Sequence, residues 1–365
     1  MKRVLIVCTT DSMIWNFLVP HVKHMESLGM EVECACSISG VYFSELKEQQ
    51  GLKMHEIHFH RSPYHYENIK AYKELRKLVV ARNFDTIFCH EPVGGAMGRL
   101  VGARTNRNVI YMAHGFHFFR GAPKINWLIY YNVEKFLSKY TNTLLVINKE
   151  DYQAACKFKA KRVKLINGIG IDISKFCRYK SNYIREKFGL ERDDIIMLTV
   201  GELIPRKNHE TVIKMLASMR KDKLHLFIAG EGELSEKLKA EVDNLGISTN
   251  VHFLGFCRNI SELCNSCDLF IFPSIHEGLS VALMEAMACG KPIVASKIRG
   301  NVDLIDEGKG GFLVEALDIK GYSNAVMRLI DNPEILRQFG DYNIEKVKQF
   351  DIDTVKTQLE QIYRM

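Results

Sequence analysis

The sequence lacks the features that mark membrane-spanning, exported and repetitive proteins. No apolar run in its 365 residues approaches the length of roughly 20 residues that a membrane-spanning helix needs. The apolar stretch from Val4 to Thr10 ends at Asp11 without a small-residue cleavage site, so it predicts a buried first strand rather than a signal peptide. The sequence contains no internal repeat and no low-complexity tract. We therefore expect a globular protein of the cytoplasm.

Motifs for zinc sites and disulfide frameworks are also missing, although the chain has 10 cysteines. Cys264 and Cys267 form a C-x-x-C pair, but no second pair and no histidine follow at zinc spacing. Other cysteines lie in apolar, strand-like segments, which indicates reduced, buried thiols. The segment 351–353 imitates the D-x-D motif of metal-dependent enzymes, but it opens the last predicted helix, where aspartate caps are expected. We predict no catalytic metal.

The charge of the chain is mild in total but unevenly distributed. The net charge of +7 divides into +11 over 1–178, with 26 basic and 15 acidic residues, and −4 over 179–365, with 24 and 28. A basic half joined to a slightly acidic half indicates a face that meets nucleic acid, a membrane surface or a phosphorylated substrate. No helix-turn-helix, RNA-recognition or zinc-finger pattern supports nucleic acid. The segment 230–232 is too short for the G-x-G-x-x-G dinucleotide fingerprint.

What the sequence does contain is a regular alternation of short apolar runs with longer amphipathic segments. The strand candidates are 3–8, 31–36, 54–59, 85–90, 108–112, 142–147, 195–201, 224–230, 250–254, 268–273 and 292–295. Such alternation is typical of βαβ units and of parallel sheets covered by helices on both faces. The alternation pauses at the glycine-interrupted segment 167–172, which a polar, basic stretch follows.

This pause predicts two domains. The first covers 1–170 and the second covers 171–350, and a last helix over 351–365 could pack back on the first domain. Ligands of doubly wound sheets bind at the carboxyl ends of the strands. We therefore expect an α/β fold of two Rossmann-like, doubly wound domains that face a central cleft.

The most informative segment is 272–292, which predicts a strand, a turn and a helix. The helix begins near Gly278 and is stopped by Gly290. Free N–H groups at such a helix start favour an anion, typically a phosphate. Glu277 stands at the helix tip and Glu285 lies two turns later, an arrangement that suits recognition of hydroxyl groups. The same spacing occurs elsewhere in the chain, so the strand–turn–helix context carries the signal.

The segment resembles the E-x7-E signature of the retaining family 4 glycosyltransferases, including its surrounding Phe-Pro-Ser, Glu-Gly and Glu-Ala-Met-Ala sequences. Further matches lie in order along the chain, at 167–172, 200–208, 228–232 and 253–256. The amino-terminal half is similar to the subgroup that makes capsule, exopolysaccharide and O-antigen repeats, with markers at 10–12, 90–95 and 111–118. The resemblance implies the GT-B fold, whose two domains open and close on a nucleotide-sugar.

The resemblance implies a donor site in the second domain. Arg206 and Lys207 follow the first strand of that domain, and a guanidinium next to an ammonium suits the two phosphates of a leaving nucleoside diphosphate. The resemblance places Glu285 on the ribose hydroxyls and gives Glu277 a catalytic position near the donor sugar. The other implied donor contacts are Gly201, Gly278, Leu279, Ser280, Phe256 and Arg258.

In the first domain, the resemblance identifies His114 as a catalytic residue that contacts the donor sugar near the reacting carbon. Many relatives have a Gly-Gly loop after the first strand, whereas this chain has Thr-Thr-Asp-Ser-Met at 9–13. The expected acceptor-side residues are Asp11, Ser12, His90 and His117.

Aromatic residues and cations are interleaved in two segments of the basic half, 61–82 and 116–139. This pattern is typical of a protein that rests on anionic lipid headgroups. The alternative is that the aromatic residues pack in the core while the cations are solvated.

The complete interpretation is a retaining, metal-independent glycosyltransferase without a cofactor. It would move a hexose or N-acetylhexosamine from a nucleotide diphosphate sugar, with UDP expected, to a growing polyprenyl-diphosphate-linked cell-surface glycan. Its partners would be that donor, the lipid-linked acceptor and an anionic membrane, but not nucleic acid. We expect it at the cytoplasmic face of the plasma membrane as a peripheral protein. A UDP-sugar 2-epimerase of similar fold is the alternative, and the Arg206-Lys207 pair with Glu277 argues against it.

Overall fold

The short apolar runs form two separate parallel sheets in the structure, a computed structural model that describes residues 1–40 and 42–364. The chain divides into a first unit, Met1–Gly170 together with the segment from Ile352 onward, and a second unit, Ile171–Asp351. Each unit is one parallel sheet with helices between its strands. This arrangement confirms the predicted fold class of two Rossmann-like α/β domains.

The sheet of the first unit has the strand order β3-β2-β1-β4-β5-β6-β7. Its strands are β1 (Arg3–Thr10), β2 (Glu31–Ser37), β3 (Lys53–Glu56), β4 (Thr86–His90), β5 (Asn108–Ala113), β6 (Thr143–Val146) and β7 (Arg162–Leu165). Its helices are α1 (Asp11–Met13), α2 (Val19–Ser27), α3 (Tyr42–Glu48), α4 (Glu67–Arg82), α5 (Pro92–Thr105), α6 (Lys124–Asn126), α7 (Asn132–Leu137) and α8 (Lys149–Ala155). Helical turns of π or 3-10 type cover Ile14–Leu18, Trp127–Tyr131 and Ser138–Tyr140.

The centre of this sheet is buried on both faces, as continuous apolar runs predict. Helix α5 packs closely on it because glycines face the strands. A Cβ atom at Gly95 would lie 2.3 Å from the Tyr111 ring, and one at Gly94 would lie 3.0 Å from the backbone of Cys8. The close approach holds the amino end of α5 beside the carboxyl ends of β1 and β4.

The sheet of the second unit has the strand order β10-β9-β8-β11-β12-β13. Its strands are β8 (Ile195–Val200), β9 (Leu224–Ala229), β10 (Val251–Gly255), β11 (Leu269–Phe272), β12 (Ile293–Ser296) and β13 (Gly311–Val314). Its helices are α9 (Tyr183–Phe188), α10 (His209–Met219), α11 (Ser235–Asn244), α12 (Ile260–Ser266), α13 (Val281–Ala288), α14 (Asn301–Leu304), α15 (Ile319–Ile330) and α16 (Pro333–Val347). Turns of 3-10 type cover Ile173–Phe176, Pro205–Lys207 and Lys348–Phe350.

In both sheets the direction of strand addition reverses once. The reversal lies between β1 and β4 in the first unit and between β8 and β11 in the second. Doubly wound sheets bind ligands outside the carboxyl ends of the strands at this switch point. The loops after these four strands therefore hold the candidate sites.

The last helix, α17 (Ile352–Tyr363), belongs to the first unit. Lys2 Nζ donates a hydrogen bond to the Tyr363 carbonyl oxygen at 2.7 Å, and the Asn167 N–H donates to Gln358 Oε1 at 3.2 Å. Within residues 1–40 and 42–364, no helix combines the length and apolar character needed to cross a membrane.

Two strands of the structure have no counterpart among the predicted strands. Strands β7 and β13 are four residues long and lie at the edges of their sheets. Strand β7 carries partly exposed residues in place of a buried apolar run, so periodicity gives it no signal.

Candidate active site

Two loops meet at the switch point of the second sheet. The loop after β8 contains the 3-10 turn Pro205–Lys207, and the loop after β11 contains Glu277. The Ile275 N–H donates to the Arg206 carbonyl oxygen at 2.9 Å, which joins the two loops directly. Residues that are 71 positions apart in the chain, Arg206 and Glu277, are thereby brought into contact.

A cluster of two cations and one carboxylate occupies this point. Arg206 Nη1 lies 2.6 Å and Lys207 Nζ lies 2.8 Å from the same oxygen, Glu277 Oε1. Lys207 Nζ also lies 4.9 Å from the centroid of the Phe272 ring. Burial lowers the pKa of Lys207, although Glu277 opposes that change. The cluster carries one positive charge in excess, so it can attract an anion such as a diphosphate.

Helix α13 starts from this cluster. It begins at Val281, three residues later than predicted, because Ser280 caps it and its Oγ accepts a hydrogen bond from the Leu283 N–H at 3.3 Å. Gly278 lies against Gly300. A Cβ atom at position 300 would lie 2.5 Å from the Gly278 carbonyl oxygen. The segment 278–280 therefore forms a tightly packed turn at the amino end of the helix, where the helix dipole favours negative charge.

Glu285 lies on the body of α13, half-buried. Burial raises the pKa of its carboxyl to about 7. A carboxyl with this pKa changes between hydrogen-bond donor and acceptor near neutral pH. It can therefore pair with hydroxyl groups in either form.

The remaining predicted donor contacts lie near the ends of β8 and β10. Gly201 follows β8. The aliphatic chain of Lys207 passes close to it, since a Cβ atom at position 201 would lie 3.2 Å from Lys207 Cδ. Phe256 follows β10 and is 69% exposed, with the Arg258 guanidinium 6.0 Å from its ring centroid. An exposed ring beside a cation offers a planar stacking surface for a base.

The switch point of the first sheet carries two histidines in contact. His90 is the last residue of β4 and His114 follows β5, and His90 Nδ1 lies 3.1 Å from His114 Nε2. Burial, with a smaller effect from His21, lowers the pKa of His114 to about 4, and burial also lowers the pKa of His90. Both rings are therefore neutral at pH 7, and one donates to the other.

Glu91 follows directly after His90 and has an unusual backbone. Its φ of +59° and ψ of 164° lie in a region that residues other than glycine rarely adopt. Its carboxylate accepts a hydrogen bond from the Thr9 N–H at 2.7 Å. Burial raises the pKa of the Glu91 carboxyl. Strain of this kind concentrates at functional sites.

Glu91 lines a polar cavity of about 440 Å³ in the first unit. Other side chains around it are those of Ser12, Arg61, His117 and Tyr130. Carboxylate, hydroxyl, imidazole and guanidinium groups around one cavity suit a hydroxylated, anionic ligand.

The other two predicted acceptor-side residues, Asp11 and His90, are fully buried. Asp11 accepts hydrogen bonds from the Ser12 N–H at 2.9 Å and from both the N–H and the hydroxyl of Ser39. It therefore ties the loop after β1 to the loop after β2. Ser12 and His117 line the cavity, whereas the buried Asp11 accepts a hydrogen bond from the backbone of Ser12.

Comparison with known proteins assigns the chain to a family. Residues 180–346 match the family described as glycosyl transferases group 1, and residues 3–148 match the family described as glycosyl transferase 4-like. The protein EpsD of Bacillus subtilis (strain 168), named as a glycosyltransferase, is 33% identical over 99% of this chain and 96% of its own length. The chain belongs to the family 4 glycosyltransferases.

Other similar proteins agree with the assignment. The crystal structure of Anabaena HepE in complex with UDP is similar to the present structure, with a TM-score of 0.85 over 100% of both chains at 19% identity. This similarity shows that the two proteins share the GT-B fold. The UDP-Gal:alpha-D-GlcNAc-diphosphoundecaprenol alpha-1,3-galactosyltransferase of Escherichia coli is 28% identical over 73% of this chain and 71% of its own length.

Sequence reasoning missed two candidate residues of the glycosyltransferase. Glu91 stands inside the quoted marker 90–95, and a charged residue directly after a buried strand at a switch point is the signal that could have identified it. Arg299 follows β12, and its Nε donates to the Glu277 carbonyl oxygen at 3.0 Å. Nothing in the local sequence connects Arg299 with Glu277.

Metal-ligating side chains also form one group in the part of the chain that the structure describes. His60, His65 and Glu67 offer ligand atoms within 4.8 Å of one another, in the loop before α4 and at its first turn. The two rings are stacked with centroids 3.8 Å apart. Nδ1 of His60 accepts the Ser62 N–H at 3.1 Å and Nδ1 of His65 accepts the Glu67 N–H at 3.4 Å, so these two nitrogens already have partners.

Proposed function

We propose that this glycosyltransferase is a retaining enzyme that uses a UDP-sugar and elongates a glycan on polyprenyl diphosphate. The cluster of Arg206, Lys207 and Glu277 at the switch point of the second sheet carries the proposal. Two fixed cations that share one carboxylate form a site for a diphosphate. HepE, which has the same fold, was crystallised with UDP, and the E. coli relative is named for a UDP-Gal donor.

The donor diphosphate displaces Glu277 from the two cations in this proposal. Its oxygens take the positions of the carboxylate oxygen, and Glu277 becomes free to accept a hydrogen bond from a hydroxyl of the transferred sugar. Negative charge grows on the diphosphate as the glycosidic bond breaks, and Arg206 and Lys207 stabilise it without reorganisation. The pair would thus supply the charge that a divalent cation supplies elsewhere, which makes transfer metal-independent.

The nucleoside contacts follow from the same geometry. Glu285 would bind the ribose hydroxyls, and the exposed Phe256 ring with Arg258 would stack on the base. The turn 278–280 would meet the phosphate or the sugar through its N–H groups.

Retention of configuration would follow from attack on the face of the sugar that the diphosphate leaves. The acceptor oxygen bonds to the anomeric carbon while the bond to the diphosphate breaks, and a diphosphate oxygen takes the acceptor proton. We assign His114 a hydrogen bond to the sugar, which its neutral imidazole can make at pH 7.

The polar cavity of the first unit is the proposed site of the acceptor. Glu91 and Ser12 would accept from or donate to sugar hydroxyls, and Arg61 would pair with the acceptor diphosphate. The E. coli relative named above acts, by its name, on a diphosphoundecaprenol-linked sugar. With a similar acceptor, the enzyme would act in exopolysaccharide or O-antigen synthesis at the inner face of the membrane.

The test begins with a thermal-shift panel of UDP-, GDP- and ADP-sugars on the full chain. We expect UDP-sugars to raise the melting temperature most, and the best stabiliser is then used for transfer to a synthetic polyprenyl-diphosphate sugar with and without EDTA. Product NMR reads the anomeric configuration, and any sugar released as a C2 epimer would indicate the 2-epimerase instead. An inverted product, or activity abolished by EDTA, would overturn the corresponding part of the proposal.

A further inference from the structure

A groove of about 760 Å³ opens on the surface of the first unit. It lies between α4, α5 and the turn Ser138–Tyr140, and its lining includes Tyr64, Tyr66, Ile69, Tyr72 and Leu100. Tyr64, Tyr66 and Ile69 are exposed, at 69%, 73% and 63%. Large apolar side chains that converge on one exposed groove mark a binding site for an apolar partner.

The groove adjoins the polar cavity that we assign to the acceptor, since Pro63 lines both. Burial, with a smaller effect from Tyr64 of the groove, raises the pKa of Tyr130 in the polar cavity, so these two side chains are neighbours. Arg61 lies in the same loop, on the polar side of Pro63. A ligand with an anionic head and an apolar tail can therefore occupy both spaces at once.

The opposite end of the groove is basic. Ala103 and Tyr140 are shared with a smaller cavity of about 240 Å³ whose wall includes Arg107, Lys139 and Lys161. Cations at the exit of an apolar groove complement the anionic headgroups of a bilayer, from which a lipid chain would enter.

Exposed apolar surface continues beyond this exit. The Tyr140 ring contacts Phe136 of α7 with centroids 5.8 Å apart, and Phe136 is 53% exposed. Lys139 Nζ lies 3.8 Å from the Phe136 ring centroid. The groove thus opens onto a surface where aromatic and cationic groups alternate.

We propose that the groove binds the isoprenoid chain of the lipid-linked acceptor, with the first isoprene units at Pro63 and the chain leaving past Tyr140. This inference rests on the proposed function for one point, which is that the head of the ligand is a diphosphate-linked glycan. A concave groove favours a single chain over a flat bilayer surface, because its walls enclose a chain on several sides.

The test is direct binding to the full chain, independent of transfer. Calorimetry compares farnesyl diphosphate, kept below its micellar concentration, with inorganic pyrophosphate. We expect farnesyl diphosphate to bind at least about tenfold more tightly, because only it carries apolar area to bury. The variant Ala103→Trp fills the groove from an exposed position on α5, and Ile69→Asp places a charge in its wall. Each should reduce the preference for farnesyl diphosphate about tenfold or more while pyrophosphate binding stays unchanged.

Matched controls lie on α4 outside the groove. Val80 is 57% exposed on the same helix as Ile69, so Val80→Asp introduces the same charge elsewhere, and Ala81→Trp introduces the same bulk. Equal affinity for farnesyl diphosphate and pyrophosphate, or equal losses in the controls, would overturn the proposal. So would an Ile69→Asp variant that binds farnesyl diphosphate normally but loses binding to phosphatidylglycerol vesicles, because the groove would then serve the bilayer. UDP-sugar binding to the second unit is measured in parallel, so that a failure of the glycosyltransferase proposal is distinguished from a failure of the groove.

Discussion

The substitution Lys207→Ala separates the catalytic value of the cation pair from its effect on stability. Lys207 has 14% of its side chain exposed and lies 2.8 Å from Glu277 Oε1. The lowered pKa of its ammonium shows that burial disfavours the charged form in the folded protein. Glu277 keeps Arg206 at 2.6 Å after the substitution, so no buried carboxylate is left without a partner. We therefore expect the melting temperature to stay within about 2 °C of the wild type, or to rise.

The effect on transfer should be much larger. A cation about 4 Å from a phosphate oxygen contributes about 4 kcal/mol at an effective dielectric constant of about 20. Removal of one preorganised group that stabilises transition-state charge typically costs about 2.7 to 4 kcal/mol. We expect kcat/KM to fall by about 100- to 1000-fold, mostly through kcat, because the charge on the diphosphate grows as the bond breaks.

The assay measures release of nucleoside diphosphate in the presence of acceptor, together with differential scanning fluorimetry of the same preparation. Lys237→Ala is the matched control, because Lys237 is 64% exposed in the same unit and pairs with Glu210 at the surface. Its removal should change neither rate nor stability measurably. A Lys207→Ala enzyme within tenfold of wild-type kcat/KM would refute the role of the pair. A fall in melting temperature that accounts for the lost activity would refute the reasoning on stability.

The other predictions concern three carboxylates. Since the Glu285 pKa is about 7 when folded and 4.5 ordinarily, the folded state binds the extra proton. The stability of the wild type relative to that of Glu285→Gln should therefore fall as pH rises between about 5 and 7 in thermal unfolding. The buried histidines, such as His114, make both proteins more stable over the same range and cancel in this comparison. Glu91→Gly and Glu91→Ala both lose the carboxylate and should both lose transfer. The glycine variant should be more stable by about 1 to 3 kcal/mol, because only it relieves the φ of +59°. Glu134→Ala leaves the buried Arg99 guanidinium, 1% exposed, without its carboxylate partner and with only the Gly95 carbonyl oxygen as a hydrogen-bond acceptor for its Nε. It should cost about 3 to 5 kcal/mol in urea unfolding.

Each of these predictions can fail separately. A stability difference between the wild type and Glu285→Gln that does not change with pH would show that another group holds the proton. Equal melting temperatures for glycine and alanine at position 91 would show that the backbone there is not strained. Glu67→Ala is the control for Glu134→Ala, because the Glu67 side chain is 49% exposed, and equal losses in the two would contradict the importance of burial.

The fold could be predicted from the sequence because the central strands are buried on both faces. Such strands are continuous apolar runs, and their alternation with amphipathic helices leaves few topologies open. The edge strand β7 carries no such signal, because its residues are partly or fully exposed and its sequence is rich in cations. Strand β13 is mostly buried, but its apolar run covers only Phe312 to Val314 after two glycines, which is too short to identify a strand.

The candidate site was predictable only where a local pattern reports it. The segment around Glu277 and Glu285 combines a strand end, a glycine turn and a helix, and the structure places Arg206 and Lys207 beside it through a topology that no local pattern encodes. The depth of burial was not predictable. Asp11 follows the first strand as a ligand-binding residue would, yet Ser39 from the next loop occupies its carboxylate.

The uneven charge of the chain has a physical explanation in these positions. The proposed phosphate-binding pair, Arg206 and Lys207, lies in the acidic half, where the two cations form a small positive site in a region of negative net charge. The surplus cations of the basic half include Arg61 at the polar cavity, and Lys139 and Lys161 at the exit of the apolar groove. A soluble donor needs only a local charge, because it diffuses freely to its site. An acceptor held in an anionic bilayer needs a field over a larger face, which orients the protein before the acceptor head is bound. The distribution of charge therefore favours an acceptor at a membrane over one in solution, and raising the salt concentration should weaken acceptor use more than UDP-sugar binding.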